Sequence, residues 1–174
     1  MSVIALSANT SWYLYNFRKN TILSLVACGY KVITIAPKDE YSDNLIELGC
    51  QFIDIDIDKG GTNPIKDLRT LFDFYRIFKV NKVDVVLNFT PKNNIYSTLA
   101  AHVNSVRAIN NIAGLGILFI NESLPSKIAR YLYKISQSKA AKIFFQNEDD
   151  KTLFLNNNLA PTHLTERLPG SGVD

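Results

Sequence analysis

The chain has little of what usually announces a reaction. Its 174 residues hold two cysteines and two histidines. His102 and His163 stand far apart without cysteine partners, so no metal-ligand spacing exists. The first strand-to-helix turn has no G-x-G-x-x-G, which argues against a nicotinamide cofactor. Walker A, G-x-S-x-G, Ser-His-Asp and Cys-His arrangements are also missing. No basic n-region precedes a long apolar run, so no signal peptide is expected. No stretch reaches the ~18–20 apolar residues of a transmembrane helix. These absences predict a cytoplasmic protein. Cys28, on the apolar face of a predicted helix, and Cys50, at a strand start, read as small buried residues in a reducing compartment.

What is present is globular. Hydrophobic content is 47%, charged content 20% and net charge +3. Such a composition builds a core. The mild positive charge permits contact with phosphate or anionic lipid; no nucleic acid partner is expected. Apolar, β-branched runs predict strands at Val3–Ser7, Val32–Ala36, Phe52–Ile57, Val83–Phe89, Arg107–Ile112 and Lys142–Gln146. Helical periodicity predicts helices at Tyr13–Cys28, Tyr41–Leu48, Pro64–Val80, Ile95–Asn104, Leu124–Lys139 and Asp149–Asn157. Strict alternation means a parallel sheet covered on both faces, a doubly wound, Rossmann-like α/β domain.

Two helices carry stop and start signals. Leu14, Phe17, Leu25 and Cys28 form the expected buried stripe of the first, which Gly29 closes. In the third, Asn63 is the expected N-cap and Pro64 fits the first helical position. Its expected buried stripe is Ile65, Leu68, Leu71, Phe72, Tyr75 and Phe78.

Ligands of open α/β sheets bind beyond the carboxyl ends of strands, and three such ends are unusual here. Ser7 to Trp12 is rich in small polar residues before a helix; Asn9, Thr10 and Ser11 either receive an anion at the helix amides or simply cap it. Arg18 lies two turns on, near that cleft or merely at the surface. After the fourth strand, Asn88 is a polar end to an apolar run and must be bonded. Thr90 follows it, and Lys92 and Asn94 could hold a sugar hydroxyl or phosphate, or form a capped turn around Pro91. After the fifth strand, Asn110 and Asn111 precede Gly114, Leu115 and Gly116, a pattern for close backbone approach or a left-handed turn.

Asp54, Asp56 and Asp58 alternate onto one strand face and read as a solvated strand end, not an acid–base pair. In Leu124–Lys142, Leu124, Ile128, Tyr131, Leu132 and Ile135 line one side while Lys127, Arg130 and Lys134 recur at spacings of three and four. Such a basic amphipathic helix lies on an anionic membrane surface or covers the sheet with a wet basic side. The run Leu168 to Asp174 contains Pro169, Gly170, Ser171 and Gly172 and reads like a hinge into another unit. The expected division is a domain over 1–168 and the start of a hinge over 169–174.

Taken in order, several segments resemble a family 4 glycosyltransferase. They are Asn9 to Trp12, Tyr15 to Arg18, Gly29 to Val32, Ile35 to Tyr41, Asn63-Pro64, Lys92 to Tyr96, Leu99 to Ala101, Gly114 to Gly116, Phe144 to Asn147, and Leu168 to Asp174. The similarity is greatest to bacterial enzymes that build O-antigen, capsule or glycoprotein glycans on undecaprenyl-diphosphate carriers. It implies the N-terminal, acceptor-side half of a retaining GT-B enzyme, with donor-binding glutamates in a C-terminal half that this chain lacks. The fragment alone would then be inactive. The donor would be a nucleotide-diphosphate sugar and the acceptor a lipid-linked glycan, with no metal or other cofactor, on the cytoplasmic face of the inner membrane.

By the same resemblance, Asn9, Thr10 and Ser11 would face the donor diphosphate. Thr90, Lys92 and Asn94 would approach the acceptor or reacting sugar, and Gly114, Leu115 and Gly116 would shape the acceptor side. Gly170 to Gly172 would be the hinge. Some members place a histidine after strand five; Asn110 and Asn111 stand there instead. A retaining transfer of this kind relies on positioning and on stabilising the leaving diphosphate. Two other readings remain: a nucleotide-sugar epimerase of GT-B architecture, and a non-enzymatic Rossmann-like binding module or partner subunit.

Overall fold

The structure, a computed structural model, describes residues 1–60, 63–114 and 123–168. In order they form β1 (Val3–Ser7), α1 (Ser11–Ala27), β2 (Lys31–Ala36), α2 (Ser42–Glu47), β3 (Gln51–Asp54) and α3 (Pro64–Asn81). Next come β4 (Val85–Asn88), a π-helical turn (Asn93–Ser97), α4 (Thr98–Val103), β5 (Arg107–Ile112) and α5 (Leu124–Gln137). The last elements are β6 (Lys142–Phe145), α6 (Glu148–Asn156), a 3-10 turn (Thr162–Leu164) and β7 (Thr165–Arg167).

Sheet order is β3-β2-β1-β4-β5-β6-β7, and every pair is parallel. This is the doubly wound arrangement expected from the alternation of strands and helices. The order reverses between β1 and β4, where such sheets open a crevice. On one face, Leu14, Ile22 and Leu45 of α1 and α2 pack on Leu6, Val32 and Ala36. On the other, Phe74, Phe78, Ala100, Tyr133 and Phe154 pack on Ala5, Val86 and Ile143. Each large side chain so buried contributes about 1.5–3 kcal/mol.

Local signals hold at several ends. Asn63 Oδ1 accepts from the amides of Ile65 and Lys66 at 3.0 and 3.4 Å, and Gly29 takes a positive φ of 81° after α1. Other expectations need correction. The fourth helix starts earlier than expected, as a π turn at Asn93. The expected third strand is shorter, and β7 was not foreseen: its Thr-Glu-Arg sequence has no apolar run, yet it pairs with β6 through the backbone, with a Lys142–Glu166 ion pair at 2.9 Å across the two strands. The segment including Leu115 and Gly116, and the expected hinge at Gly170, Ser171 and Gly172, lie outside the described residues.

Three apolar stripes face other than expected. In α1 the buried side is Ser11, Leu14, Arg18 and Ile22; Phe17 and Leu25 are half-buried and Cys28 is exposed. The apolar residues are spread around this helix, so a polar flank can pack inward. In α3 the core side is Thr70, Phe74 and Phe78, while Ile65, Leu68 and Phe72 are exposed. Thr70 can turn inward because its hydroxyl donates to the carbonyls of Asp56 and Lys66, both at 3.0 Å. In α5 the buried residues are Ser126, Tyr133, Ser136 and Gln137, and Leu124, Ile128, Tyr131 and Ile135 are exposed. Cys50 is buried as expected; burial raises its thiol pKa, and its Sγ donates to the Leu45 carbonyl at 2.8 Å.

Candidate functional site

Ser7, Asn88 and Asn110 stand side by side in register at the carboxyl ends of β1, β4 and β5. Their side chains form a chain of hydrogen bonds. Ser7 Oγ donates to Asn88 Oδ1 at 2.6 Å, Asn88 Nδ2 to Asn110 Oδ1 at 2.9 Å, and Asn110 Nδ2 to Gln137 Oε1 at 2.7 Å. Gln137 Nε2 then donates to the Asn94 carbonyl at 3.0 Å. All are buried. Donor–acceptor chains of this kind strengthen one another in a dry interior. Asn88 and Asn110, expected to line the cleft, instead lock its floor from within. The Asn94 carbonyl that receives this bond lies in the π turn, which thereby meets α5.

The rim above this floor is largely tied up. Thr10 Oγ1 accepts from the Tyr13 amide at 3.0 Å and caps α1. Ser11 is buried, donates to the Pro37 carbonyl at 2.9 Å and accepts from Ser42 Oγ at 3.1 Å. Asp39 supplies a carboxylate to the first turn of α1, accepting from the Trp12 amide at 3.0 Å and the Tyr41 amide at 2.9 Å. Sequence reasoning missed Asp39, whose loop follows a different strand. Asn9 remains half-buried beside this cap. Thr90 Oγ1 donates to Asn93 Oδ1 at 2.6 Å, and Asn94 Nδ2 to the Asn111 carbonyl at 3.1 Å. Gly114 has a φ of 70°, and among the described residues a side chain there would meet open space, so its left-handed turn, not close approach, requires glycine. Its amide donates to Asp150 Oδ2 at 3.1 Å.

Arg18 differs from all of these. It is 6% exposed. Its guanidinium lies 4.3 Å from the Phe89 ring centroid and 5.6 Å from that of Tyr13, and Nη2 donates to the Tyr13 hydroxyl at 3.0 Å. Phe89 directly follows β4, so the cation sits at the switch point. Among the described residues no carboxylate pairs with it, and Nε has no acceptor. An uncompensated buried cation is costly, whereas its aromatic bed recovers part of that cost.

Lys92 points elsewhere. It is not on an open loop but in the helical turn opening at Pro91. Its Nζ pairs with Asp67 Oδ1 at 2.5 Å, while the Tyr96 hydroxyl donates to Asp67 Oδ2 at 2.8 Å. Burial, reinforced by the Asp67 hydrogen bond and charge, raises the Tyr96 pKa well above its usual value. This triad lies in a groove between α3 and α5 of about 800 Å³, lined also by Leu68, Leu71, Ile95 and Ile128. Asp67 was not among the candidate residues read from the sequence. Lys127 and Lys134 are exposed and Arg130 half-buried on the outer side of α5. The carboxylates Asp54 and Asp56 are exposed, as expected of a wet strand end. Among the described residues no cluster of three metal-ligating side chains occurs, and no helix is long and apolar enough to cross a membrane.

Comparison with known proteins places this geometry. A curated relative, the N,N'-diacetylbacillosaminyl-diphospho-undecaprenol alpha-1,3-N-acetylgalactosaminyltransferase of Campylobacter jejuni, is 27% identical over 151 residues. The match takes in 84% of this chain and 40% of that protein, so the chain spans well under half of its relative's length. A glycosyltransferase from Rickettsia africae superposes with a TM-score of 0.69 at 17% identity, over 95% of this chain and 42% of that one. The UDP-GlcNAc 2-epimerase of Neisseria meningitidis, bound to UDP-GlcNAc, gives 0.67 at 17% identity, over 98% and 47%. These two likenesses bear on fold alone, and it is the Rossmann-like α/β fold expected of a GT-B N-terminal half. The family assignment comes from sequence: residues 3–147 match the glycosyl transferase 4-like family, to which this chain belongs.

Proposed function

We propose that this chain is the acceptor-side domain, over 1–168, of a retaining glycosyltransferase, with 169–174 beginning the hinge to a donor-binding half. It would move a sugar from a nucleotide-diphosphate sugar to a lipid-linked glycan acceptor of the undecaprenyl-diphosphate type. The setting would be surface polysaccharide synthesis, O-antigen or capsule among them, with the enzyme peripheral to the cytoplasmic face of the inner membrane. The observation that carries this reading is Arg18, a buried cation without a carboxylate partner at the β1–β4 switch point, in a chain of glycosyltransferase family. A diphosphate is the anion such a cation is suited to receive.

In this reading Asn9 and the Thr10-capped end of α1 border the diphosphate, and Asp39 limits how much negative charge that end accepts. Asn94 and Gly114 border the acceptor. Asn88, Asn110 and Gln137 act as positioning residues, holding three strand ends at fixed spacing.

The test joins the chain to a donor-binding half and assays transfer from a panel of nucleotide sugars onto undecaprenyl-diphosphate-linked acceptors. Transfer by the joined protein and none by the 174-residue chain is the expected result; no transfer with any pair overturns it. An epimerase shares the fold and separates by product, a free nucleotide sugar of altered configuration. A binding module is favoured by one observation, the internal bonding of the strand-end polar groups, and would give partner binding without turnover.

A further inference from the structure

Four aromatic rings stand in a row that starts just after β4 and ends in solvent. Between centroids, Phe89 lies 6.3 Å from Tyr13, Tyr13 5.1 Å from Phe17, and Phe17 5.4 Å from Trp12. Arg18 rests on the two inner rings, Phe89 and Tyr13. Phe89, Tyr13 and Phe17 are half-buried, whereas Trp12 is 45% exposed. Phe17 meets the indole in a T-shaped contact, with 80° between the ring planes. Such a contact orients a ring without covering it. The backbone of Trp12 is pinned as well. Its amide donates to Asp39 Oδ2 at 3.0 Å, and its carbonyl accepts from Asn16 Nδ2 at 2.9 Å. Trp12 is thus a fixed ring held out at the carboxyl edge of the sheet, in the first turn of α1.

The surroundings of the ring define what it can take. Asn16 and Lys19, one and two turns further along the same side of α1, are exposed and polar. The apolar spot is therefore one ring wide. A protein partner or a bilayer calls for contiguous apolar surface on the order of hundreds of Å². Asp39 stands beside the indole, with one oxygen on the Trp12 amide and the other on the Tyr41 amide. A carboxylate accepts about four hydrogen bonds, so capacity remains for a donor on a ligand. The same charge, with Glu40 next to it in sequence, repels a phosphate laid on the indole. A neutral ring with an apolar face and hydroxyls around its edge meets these conditions. A pyranose is such a ring. The C–H bonds of one face carry slight positive charge and settle on the negative face of an indole, while its hydroxyls reach a carboxylate.

We propose that Trp12 is an aromatic ledge on which a pyranose ring of the acceptor glycan stacks, with Asp39 accepting from one of its hydroxyls. Arg18, at the other end of the row, keeps the place of the anion apart from that of the neutral ring. The proposal deepens the transferase reading and rests on it for the identity of the glycan as acceptor. Saccharide binding is measured without any sugar transfer, so the two fail separately.

Trp12 is the chain's single tryptophan, so its emission reads the ledge directly. The full chain is titrated with the methyl glycosides of glucose, galactose, N-acetylglucosamine and N-acetylgalactosamine, with sorbitol, and with UMP. At least one glycoside should change the emission saturably. Sorbitol should not, because it has the hydroxyls without the ring face. Ligand-observed NMR carries the measurement to variants that lack the reporter. Trp12→Leu should weaken binding of that glycoside about tenfold, and Trp12→Tyr should retain most of it. Trp12 lies largely outside the core, so an unchanged thermal melt confirms that these variants fold. In the enzyme completed with a donor-binding half, Trp12→Leu should raise KM for the lipid-linked acceptor about tenfold and KM for the donor far less. Silence toward every glycoside, an equal response to sorbitol, saturation by UMP alone, or full glycoside binding by Trp12→Leu would overturn the proposal. So would a Trp12 emission that is already blue-shifted and shielded from acrylamide in the completed enzyme without sugar, because the donor-binding half then covers the ring.

Discussion

Single residues in this chain divide into those that hold the cleft and those that it leaves unspent. Asn110 is of the first kind. Replacing it by leucine strands Gln137 Oε1 in a dry interior and leaves Asn88 Nδ2 only its 3.4 Å bond to Thr98 Oγ1, so Asn110→Leu should cost about 2–5 kcal/mol in urea denaturation. Arg18 is of the second kind. Arg18→Met removes a buried cation that lacks a carboxylate partner, so the melting temperature should hold or rise. Transfer by the completed enzyme should fall about ten- to a hundredfold if an anion is received there. A lower melting temperature with unchanged kcat/KM would make Arg18 purely structural. Tyr96 offers a pH readout. Its folded pKa is raised, first by burial and then by Asp67, above an unfolded value near ~10. The protonated phenol therefore favours the fold below about pH 10, and that contribution is lost as pH climbs toward the folded value. Tyr96→Phe should flatten the alkaline decline measured by thermal melts; Tyr133, also raised by burial, keeps part of it.

At the scale of elements, strands were easier to read than helix orientation. The runs Val3–Ser7 and Arg107–Ile112 each carry β-branched residues, and they form β1 and β5 with the expected limits. The caps at Asn63 and Gly29 were local and therefore visible. The stripes on α3 and α5 were visible too, but periodicity shows only that a helix has an apolar side, not which way it turns. Here Thr70, Ser136 and Gln137 find internal partners and face inward, leaving the apolar sides outside. The polar residues after the strands were legible as unusual, and their mutual bonding was not, because Ser7, Asn88 and Asn110 meet only once the sheet exists. Asp39 and Asp67 escaped notice for the same reason. One cap gives a clean check: Thr10→Ala should destabilise the fold by about 1 kcal/mol in a denaturant titration, through loss of the bond to the Tyr13 amide. No measurable change would mean that Asp39 alone secures this helix end.

The whole molecule is a sheet with two unequal coats. The α1–α2 side buries Leu14, Ile22 and Leu45 and exposes Trp12, Leu23 and Ile46 singly, whereas the opposite side turns runs of apolar helix residues outward. Stability should be concentrated in the middle of the sheet. Amides of β1 and β4, flanked on both sides, should exchange slowest with deuterated solvent, and those of the edge strands β3 and β7 fastest; equal protection throughout would contradict that order. The parallel order also has a kinetic side. Among the described residues no strand is joined to its sheet neighbour by a tight hairpin; each junction first needs a crossover segment, and the central seam joins Ser7 to Asn88 across 81 positions. Chain closure must be completed before that seam returns any free energy. The nascent polypeptide therefore exposes its β1 edge until β4 has been synthesised, and the interval in which a wrong strand could pair there is set by the length of the intervening chain rather than by the strength of the finished sheet.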